Sequence, residues 1–356
     1  MTTKGIGYHL VDDQVTYESI TDPFTGKRSY WPPSFRPHPM DGILTPVTND
    51  LREHVVPFPE ETPAECPIFC ASALEGKPSQ AYAYIGPKPA NRPGNNSGLI
   101  FANEVPNVEL AYLLISPDRH YENIADATDA ELKNLSNTLY NFLRAVQDNK
   151  DGYFDDVYDV AFSVNYGALS GGSVPHFHIN LHFLRRSTDP DLVTKAVREK
   201  ERTNGGRYSQ FDFESNNGGL VVAKIGDDGT VLYTPYNATG DNQITTALAP
   251  GKNALSEMTE DDLTSLLKGL RLSARTVREL HGNIPFHMHG RIPLDTKDAG
   301  TSPIRIKQDP LYGNIGNPVC DASIGDKLSR SPLIAARDLR EAVNAVTPTR
   351  SWVLAR

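Results

Sequence analysis

Only three cysteines stand in the 356 residues, alongside two tryptophans and four methionines. Three thiols make no disulfide framework, so an apolar core rather than covalent cross-links must hold the fold. No stretch approaches the ~18 consecutive apolar residues of a membrane helix, which excludes a span of that kind. The opening MTTKGIGYHLVDDQ has no apolar run behind Lys4, so no signal peptide is expected and the chain is placed in the cytoplasm. Positive charge is also short: 35 Lys and Arg face 44 Asp and Glu, a formal net charge of −9. Nucleic-acid surfaces are usually basic, so a polynucleotide partner is not expected. A phosphate-bearing small molecule stays open, because local donors can hold it. The chain does have apolar residues, 38% of its length, enough to bury a sizeable core in an α/β or α+β protein.

Along the chain, residues 1–98 are rich in proline, as in TDPFTGKRSYWPPSFRPHP, and read as short strands and loops laid over a core. From Leu99 the pattern changes. GLIFANEV and ELAYLLIS are apolar runs of strand length. Thr128 and Asp129 then open a helix whose stripe is Leu132, Leu135, Leu139, Phe142 and Val146. DVAFSVNYG and PHFHINLHF return to strand character. The second half repeats the plan. Thr259 to Asp262 open a helix with Leu263, Leu266, Leu267, Leu270, Ala274, Val277 and Leu280 as its stripe, and the turn HGNIP leads into FHMHGRIP. Helix, turn and a strand with His-x-His thus occur twice, which predicts two similar half-domains, 1–202 and 203–356. The glycine-rich stretch 203–226 is expected to connect them, and a last helix is expected over roughly 333–346.

The main chemical signal lies in NYGALSGGSVPHFHINLHF, residues 165–183. In a strand, His176, His178, Asn180 and His182 point one way while Phe177, Ile179, Leu181 and Phe183 point into a core. Ahead of them a loop with Gly171, Gly172 and Ser173 offers backbone N–H groups to phosphate oxygens. An imidazole there can attack an α-phosphate and form a covalent nucleotidyl-histidine, splitting one displacement into two. His182 is either a supporting group or mere polarity at the strand end. Arg305 and Lys307 are either holders of an acceptor phosphate or a solvated pair.

Asn165, Gly167, Gly171, Ser173, Pro175, His176 and His178 stand in the order found in the galactose-1-phosphate uridylyltransferase branch of the histidine-triad superfamily, which this segment resembles. Further segments are similar: Asp22-Pro-Phe-Thr-Gly26-Lys with Arg36, Phe101-Ala-Asn103-Glu104, Ser116-Pro-Asp118-Arg-His120, and Phe286-His287-Met-His289, so that the likeness spans roughly residues 20–295. The resemblance implies an α+β fold of histidine-triad type, with two similar half-domains whose antiparallel sheets are flanked by helices. It implies His178 as nucleophile, with Ser173, Asn180 and Asn165 beside it in catalysis. Arg36, Phe101, Asn103, Glu104, Gly171, Gly172, His287 and His289 would bind substrate. Cys66, Cys70, His120 and His176 would hold a structural Zn²⁺, a set whose chemistry suits closed tetrahedral zinc. Taken alone, Cys66 and Cys70 read equally well as two small buried residues. The spacing Cys66-Pro-Ile-Phe-Cys70 is one residue longer than is usual in that family, and Arg119 displaces His120 by one. Asn180 stands where the uridylyltransferases often have Gln. The only histidine shortly before the second His-x-His is His281, at a different spacing, so no second metal is assigned. Partners would be a nucleotide sugar, a sugar phosphate and a second copy of the chain. The activity implied is uridylyl transfer between a UDP-sugar and a sugar 1-phosphate, with phosphorolysis or hydrolysis of nucleotide anhydrides as the alternative outcome.

Overall fold

The computed structural model describes residues 98–185, 215–310 and 332–347 apart from a few loop positions (103–109, 117–118, 149–153, 155, 168–169, 171, 173, 217, 227–228, 236–241 and 301), together with the short strands Glu18–Thr21, Arg28–Trp31 and Trp352–Val353. The first two of these strands, β1 and β2, form a hairpin. The remaining strands are β3 (Leu99–Ala102), β4 (Leu110–Ile115), β5 (Val157–Tyr166), β6 (His178–Arg185), β7 (Val221–Ile225), β8 (Thr230–Tyr233), β9 (Ile244–Ala247), β10 (Phe286–Pro293), β11 (Arg305–Pro310) and β12 (Trp352–Val353). They build one ten-stranded sheet in the order β12-β7-β8-β9-β11-β10-β5-β6-β4-β3, with every neighbouring pair antiparallel. Among the described residues three helices accompany it: α1 (Asp129–Asp148), α2 (Glu260–His281) and α3 (Pro332–Val346).

Both long helices start in the same way. A short 3-10 turn, Ile124–Asp126 or Leu255–Glu257, precedes a threonine that closes a capping box. Thr128 N–H donates to the Glu131 carboxylate while Glu131 N–H donates to Thr128 Oγ1; Thr259 and Asp262 make the same reciprocal pair. From there the apolar stripes run as the periodicity predicts. Leu132, Leu135, Leu139 and Phe142 on α1, and Leu263, Leu266, Leu267 and Leu270 on α2, are fully buried in one cluster with Val160, Phe162, Ile179 and Leu181 of the sheet. The helices therefore cover one face of the sheet. Gly269 lets α2 lie close on it, since a Cβ there would come within 2.4 Å of Thr246 Cγ2.

The duplication extends to topology. In the first half β3, β4, 3-10 turn, α1, β5 and β6 follow one another; in the second β8, β9, 3-10 turn, α2, β10 and β11 do so. The sheet order β3-β4-β6-β5 is mirrored by β10-β11-β9-β8, the halves meeting where β5 pairs with β10 from Tyr166↔Phe286 to Asp159↔Pro293. The two expected sheets are thus joined edge to edge. Two details differ from the sequence reading. The first histidine strand, β6, is the second strand after its helix, whereas the second, β10, is the first, so the two do not occupy equivalent places. Part of the supposed connector is also strand: Val221 and Val222 belong to a β-branched apolar run that is buried and paired with β8.

Candidate active site

On the face of the sheet turned away from the helices, β5, β6, β10 and β11 carry a polar patch. Alternation puts Phe286, Met288 and Ile292 of β10 against the helices and His287, His289 and Arg291 on the other side. On β6, Ile179, Leu181 and Phe183 are buried under the helices, and His178, Asn180 and His182 share the polar face. Register then lines these residues up across strands. Asn180 pairs with Leu113 and Ser163, Ser163 with His289, His289 with Lys307, and Lys307 with Thr245, a single row across six strands. One step along, His178 pairs with Ile115, and His287 with both Asn165 and Asp309.

β6 begins at His178, so His176 lies in the bend just before the strand rather than on its face as alternation had suggested. Pro175 precedes it, and the Phe177 N–H is bonded to the Tyr121 carbonyl at 2.6 Å, which sets this bend against the segment after β4. Tyr121 stacks on Phe177 with ring centroids 5.4 Å apart. The bend has a direct effect on His178: its Nδ1 lies 2.8 Å from the His176 carbonyl oxygen. A carbonyl only accepts, so Nδ1 carries the proton and the lone pair sits on Nε2. His178 is buried, and that burial lowers its pKa below the usual imidazole value; the His176 carbonyl opposes the shift.

The glycine loop is wound on one carbonyl. Gly167 adopts φ +83°, where a Cβ would meet Pro285 at 2.9 Å. Its oxygen accepts from Ser170 N–H, Ser170 Oγ and Gly172 N–H, at 3.1, 2.7 and 3.2 Å. The Gly172 amide, expected to be free for a ligand, is therefore committed to the loop's own closure. Gly171 and Ser173 lie outside the described residues, as do Arg36, Cys66, Cys70, Asn103 and Glu104. Phe101 takes its place in β3 opposite Leu113. Asn165 is at the mouth of the loop on β5, and its Oδ1 is buried without a hydrogen-bond partner among the described residues. An orphaned acceptor at that place is what a donor-bearing ligand would satisfy.

His120 and His176 sit edge to face with ring centroids 5.2 Å apart, and His176 Nε2 is 3.1 Å from the Ser116 carbonyl oxygen. Two of the four expected zinc ligands are thus neighbours. Among the described residues, no group of three or more His, Cys, Asp or Glu comes close enough together to hold a metal. His281 is elsewhere, at the end of α2, with Nε2 2.8 Å from the Asn242 side-chain amide.

Sequence reading missed the acids that serve this face. Asp309 is buried, accepts from the Gln243 side chain and lies 3.4 Å from His289 Nδ1 and 3.8 Å from Lys307 Nζ. Asp159 is fully buried, 3.2 Å from Arg291. The alternation Arg305-x-Lys307-x-Asp309 was the available signal for the first of these. His287 stacks on His289 at 5.0 Å. Burial drives His287 down to about 4, helped by His289 and opposed by Asp309, and burial alone drives His182 to about 4.

No protein-family model matches the sequence, and no curated protein matches it. Solved structures do match the fold. A uridylyltransferase structure superposes with a TM-score of 0.64 at 14% identity, covering 92% of this chain and 99% of its own. An ADP-glucose phosphorylase from Arabidopsis thaliana with bound ADP-glucose gives 0.62 at 13% identity, covering 94% and 99%. A GalT-like protein from Arabidopsis thaliana gives 0.61 at 15%, covering 79% and 94%. The chain therefore has the α+β fold of these proteins, which is the histidine-triad type that its motifs resemble. No helix among the described residues is long and apolar enough to cross a membrane.

Proposed function

We propose that the chain is a nucleotidyltransferase that works through a covalent nucleotidyl-histidine on His178. The observation that carries this reading is the bond from His178 Nδ1 to the His176 carbonyl, which fixes the tautomer that has its lone pair on Nε2. In the first half-reaction Nε2 bonds to the α-phosphorus of a sugar nucleotide as the bond from that phosphorus to the bridging oxygen breaks, and a sugar 1-phosphate leaves with the electron pair. In the second, an incoming phosphate oxygen attacks the same phosphorus and the P–N bond breaks. Asn180, one strand repeat from His178, and Ser173 donate to the phosphoryl oxygens where charge develops. Asn165 Oδ1 accepts from the ligand. His287 and His289 would line the pocket, with Arg36, Phe101, Asn103, Glu104 and Gly171 completing it. The fold likeness to a uridylyltransferase supports uridylyl transfer, and the motif resemblance adds a sugar 1-phosphate as acceptor and a homodimer as the assembly. Phosphorolysis shares the first half-reaction, and the fold likeness to the ADP-glucose phosphorylase supports it as the second reading.

His120 and His176, side by side, fit half of a tetrahedral zinc set, and Cys66 and Cys70 would supply the rest. Zinc there would tie the segment after β4 to the bend that orients His178, a structural rather than catalytic part. Elemental analysis of the purified chain should give one zinc per chain, and His120→Ala with Cys66→Ser should lose it. A metal-free parent protein would remove this part of the proposal.

Intact-mass spectrometry after mixing the chain separately with UDP-glucose, ADP-glucose and a GDP-sugar tests the activity. One donor should add the mass of its nucleoside monophosphate, and candidate sugar phosphates or inorganic phosphate should then discharge it. The absence of an adduct with every donor, or an adduct that persists in His178→Asn, would defeat the reading.

A further inference from the structure

Arg271, Arg275 and Arg278 stand on one side of α2, at helical spacings of four and three residues. All three reach the segment before α1, but they are not equally compensated. Arg271 pairs with Asp129, and Arg278 Nη1 with Asp126 at 2.7 Å. Arg275 Nε donates to the Ala125 carbonyl at 2.7 Å, and no carboxylate among the described residues forms an ion pair with its guanidinium. Partial burial, with Arg271 and Arg278 to either side, pushes the Arg275 pKa down against the pull of Asp126 and Asp129. A partly buried cation without a paired anion is a group that a ligand carboxylate would satisfy.

Arg275 lines an open cavity of about 350 Å³ to which both halves contribute: Ala125 and Asp126 from the 3-10 turn, Arg275, Arg278 and Glu279 from α2, and Val346 from the end of α3. That volume is at the lower end of the ~300–1,000 Å³ of small-molecule sites. Its charged residues are balanced, two arginines against two acids. Glu279 is exposed and forms no ion pair with a described residue, although it follows Arg275 by four positions. Cation before acid is the less favourable order for such a helical pair. The cavity thus presents a guanidinium without a carboxylate and, one turn further, a carboxylate without a cation. A simple anion drawn to Arg275 would face Asp126 and Glu279. A molecule that brings its own cation turns that repulsion into attraction.

We infer that this cavity is a binding site for a small zwitterion of the amino-acid type, with its carboxylate on the Arg275 guanidinium and its ammonium toward Glu279. The planar fork of an arginine offers a carboxylate two parallel N–H donors, a fit that an ammonium lacks. Arg278, held by Asp126, keeps 34% of its side chain exposed beside it and adds a second cation at the carboxylate end. None of the lining residues belongs to the polar face that carries His178, so the inference stands apart from the activity proposed above.

Thermal melting of the full chain with each of the common free L-amino acids, then isothermal titration of the one that raises the melting temperature most, tests the site. Losing one charged contact is expected to weaken that amino acid about tenfold or more in Arg275→Gln, and several-fold in Glu279→Gln. With the parent protein, the N-acetyl derivative lacks the ammonium and the amide derivative lacks the carboxylate; each should bind about tenfold more weakly or worse. Should Arg275→Gln not fold, as judged by its melting transition, Glu279→Gln and the two derivatives carry the test. Three results would overturn the site: no amino acid that raises the melting temperature, unchanged affinity in the folded variants, or an N-acetyl derivative that binds as tightly as the free amino acid. Adduct formation on His178 is read independently by mass, so failure of that activity leaves this result standing.

Discussion

His178 owes its orientation to a carbonyl two residues earlier, which is why the bend at Pro175–Phe177 matters as much as the histidine. His178→Asn should abolish adduct formation, whereas His182→Asn, two strand repeats along the same face, should reduce turnover only mildly; intact mass and steady-state rates check both. A reversal of these two effects would overturn the role given to His178. Two partly buried imidazoles set a pH dependence of stability. His182 and His287 are held at about 4 in the folded protein, below the usual ~6.5 of an unfolded chain. Below pH 6.5 the unfolded state takes up these protons and the folded state does not. Stability should therefore fall as pH drops from about 6.5 to about 4 and level off beneath that, with each histidine contributing at most about 3 kcal/mol. Urea melts at stepped pH check this, and His182→Phe should flatten the slope. At this scale the sequence made the polar face of β6 legible, because alternation is a local property. Asp309 and Asp159 were not legible, since a carboxylate counts as part of the site only once its strand is placed beside β10 or beneath Arg291.

At the scale of elements, the two long helices were readable because period and cap agree. The apolar stripes of α1 and α2 recur every three or four residues, and each begins at a threonine with an acid three positions on. Thr128→Ala and Thr259→Ala should each cost about 1 kcal/mol, seen as similar drops in melting temperature, because each removes one half of a reciprocal cap. If only Thr259→Ala destabilised the chain, the equivalence of the two caps would be lost. The bend before β6 was harder to foresee. Strand alternation extends naturally back to His176, and only the tertiary bond from Phe177 N–H to Tyr121 ends it sooner. The strand β7 was hidden for a related reason: glycines on both sides of Val221–Ile225 read as a connector, and its pairing with β8 and β12 outweighs that local signal.

For the whole molecule, the repeat was legible and the way the halves join was not. Two similar helix-strand runs in one sequence suggest two sheets. Nothing local says that β5 and β10 present their free edges to each other, over eight paired positions. That pairing removes two long edges that would otherwise be exposed to aggregation. It also keeps His287 opposite Asn165, so both halves contribute to one polar face. Arg271, Arg275 and Arg278 of α2 add to the union by reaching the Ala127 carbonyl, the Ala125 carbonyl and the Asp126 carboxylate of the first half. Dividing the chain at 202 and 203 should therefore yield fragments that are insoluble or unfolded alone, because each bares a long unpaired strand and part of the shared apolar cluster. Co-expression should restore a soluble complex, since the junction is made of noncovalent pairing and needs no continuous chain. Size-exclusion chromatography and melting of 1–202 and 203–356, apart and together, measure this. A soluble, cooperatively melting 1–202 on its own would mean that the first half is an independent domain and that the β5–β10 junction is an accessory contact.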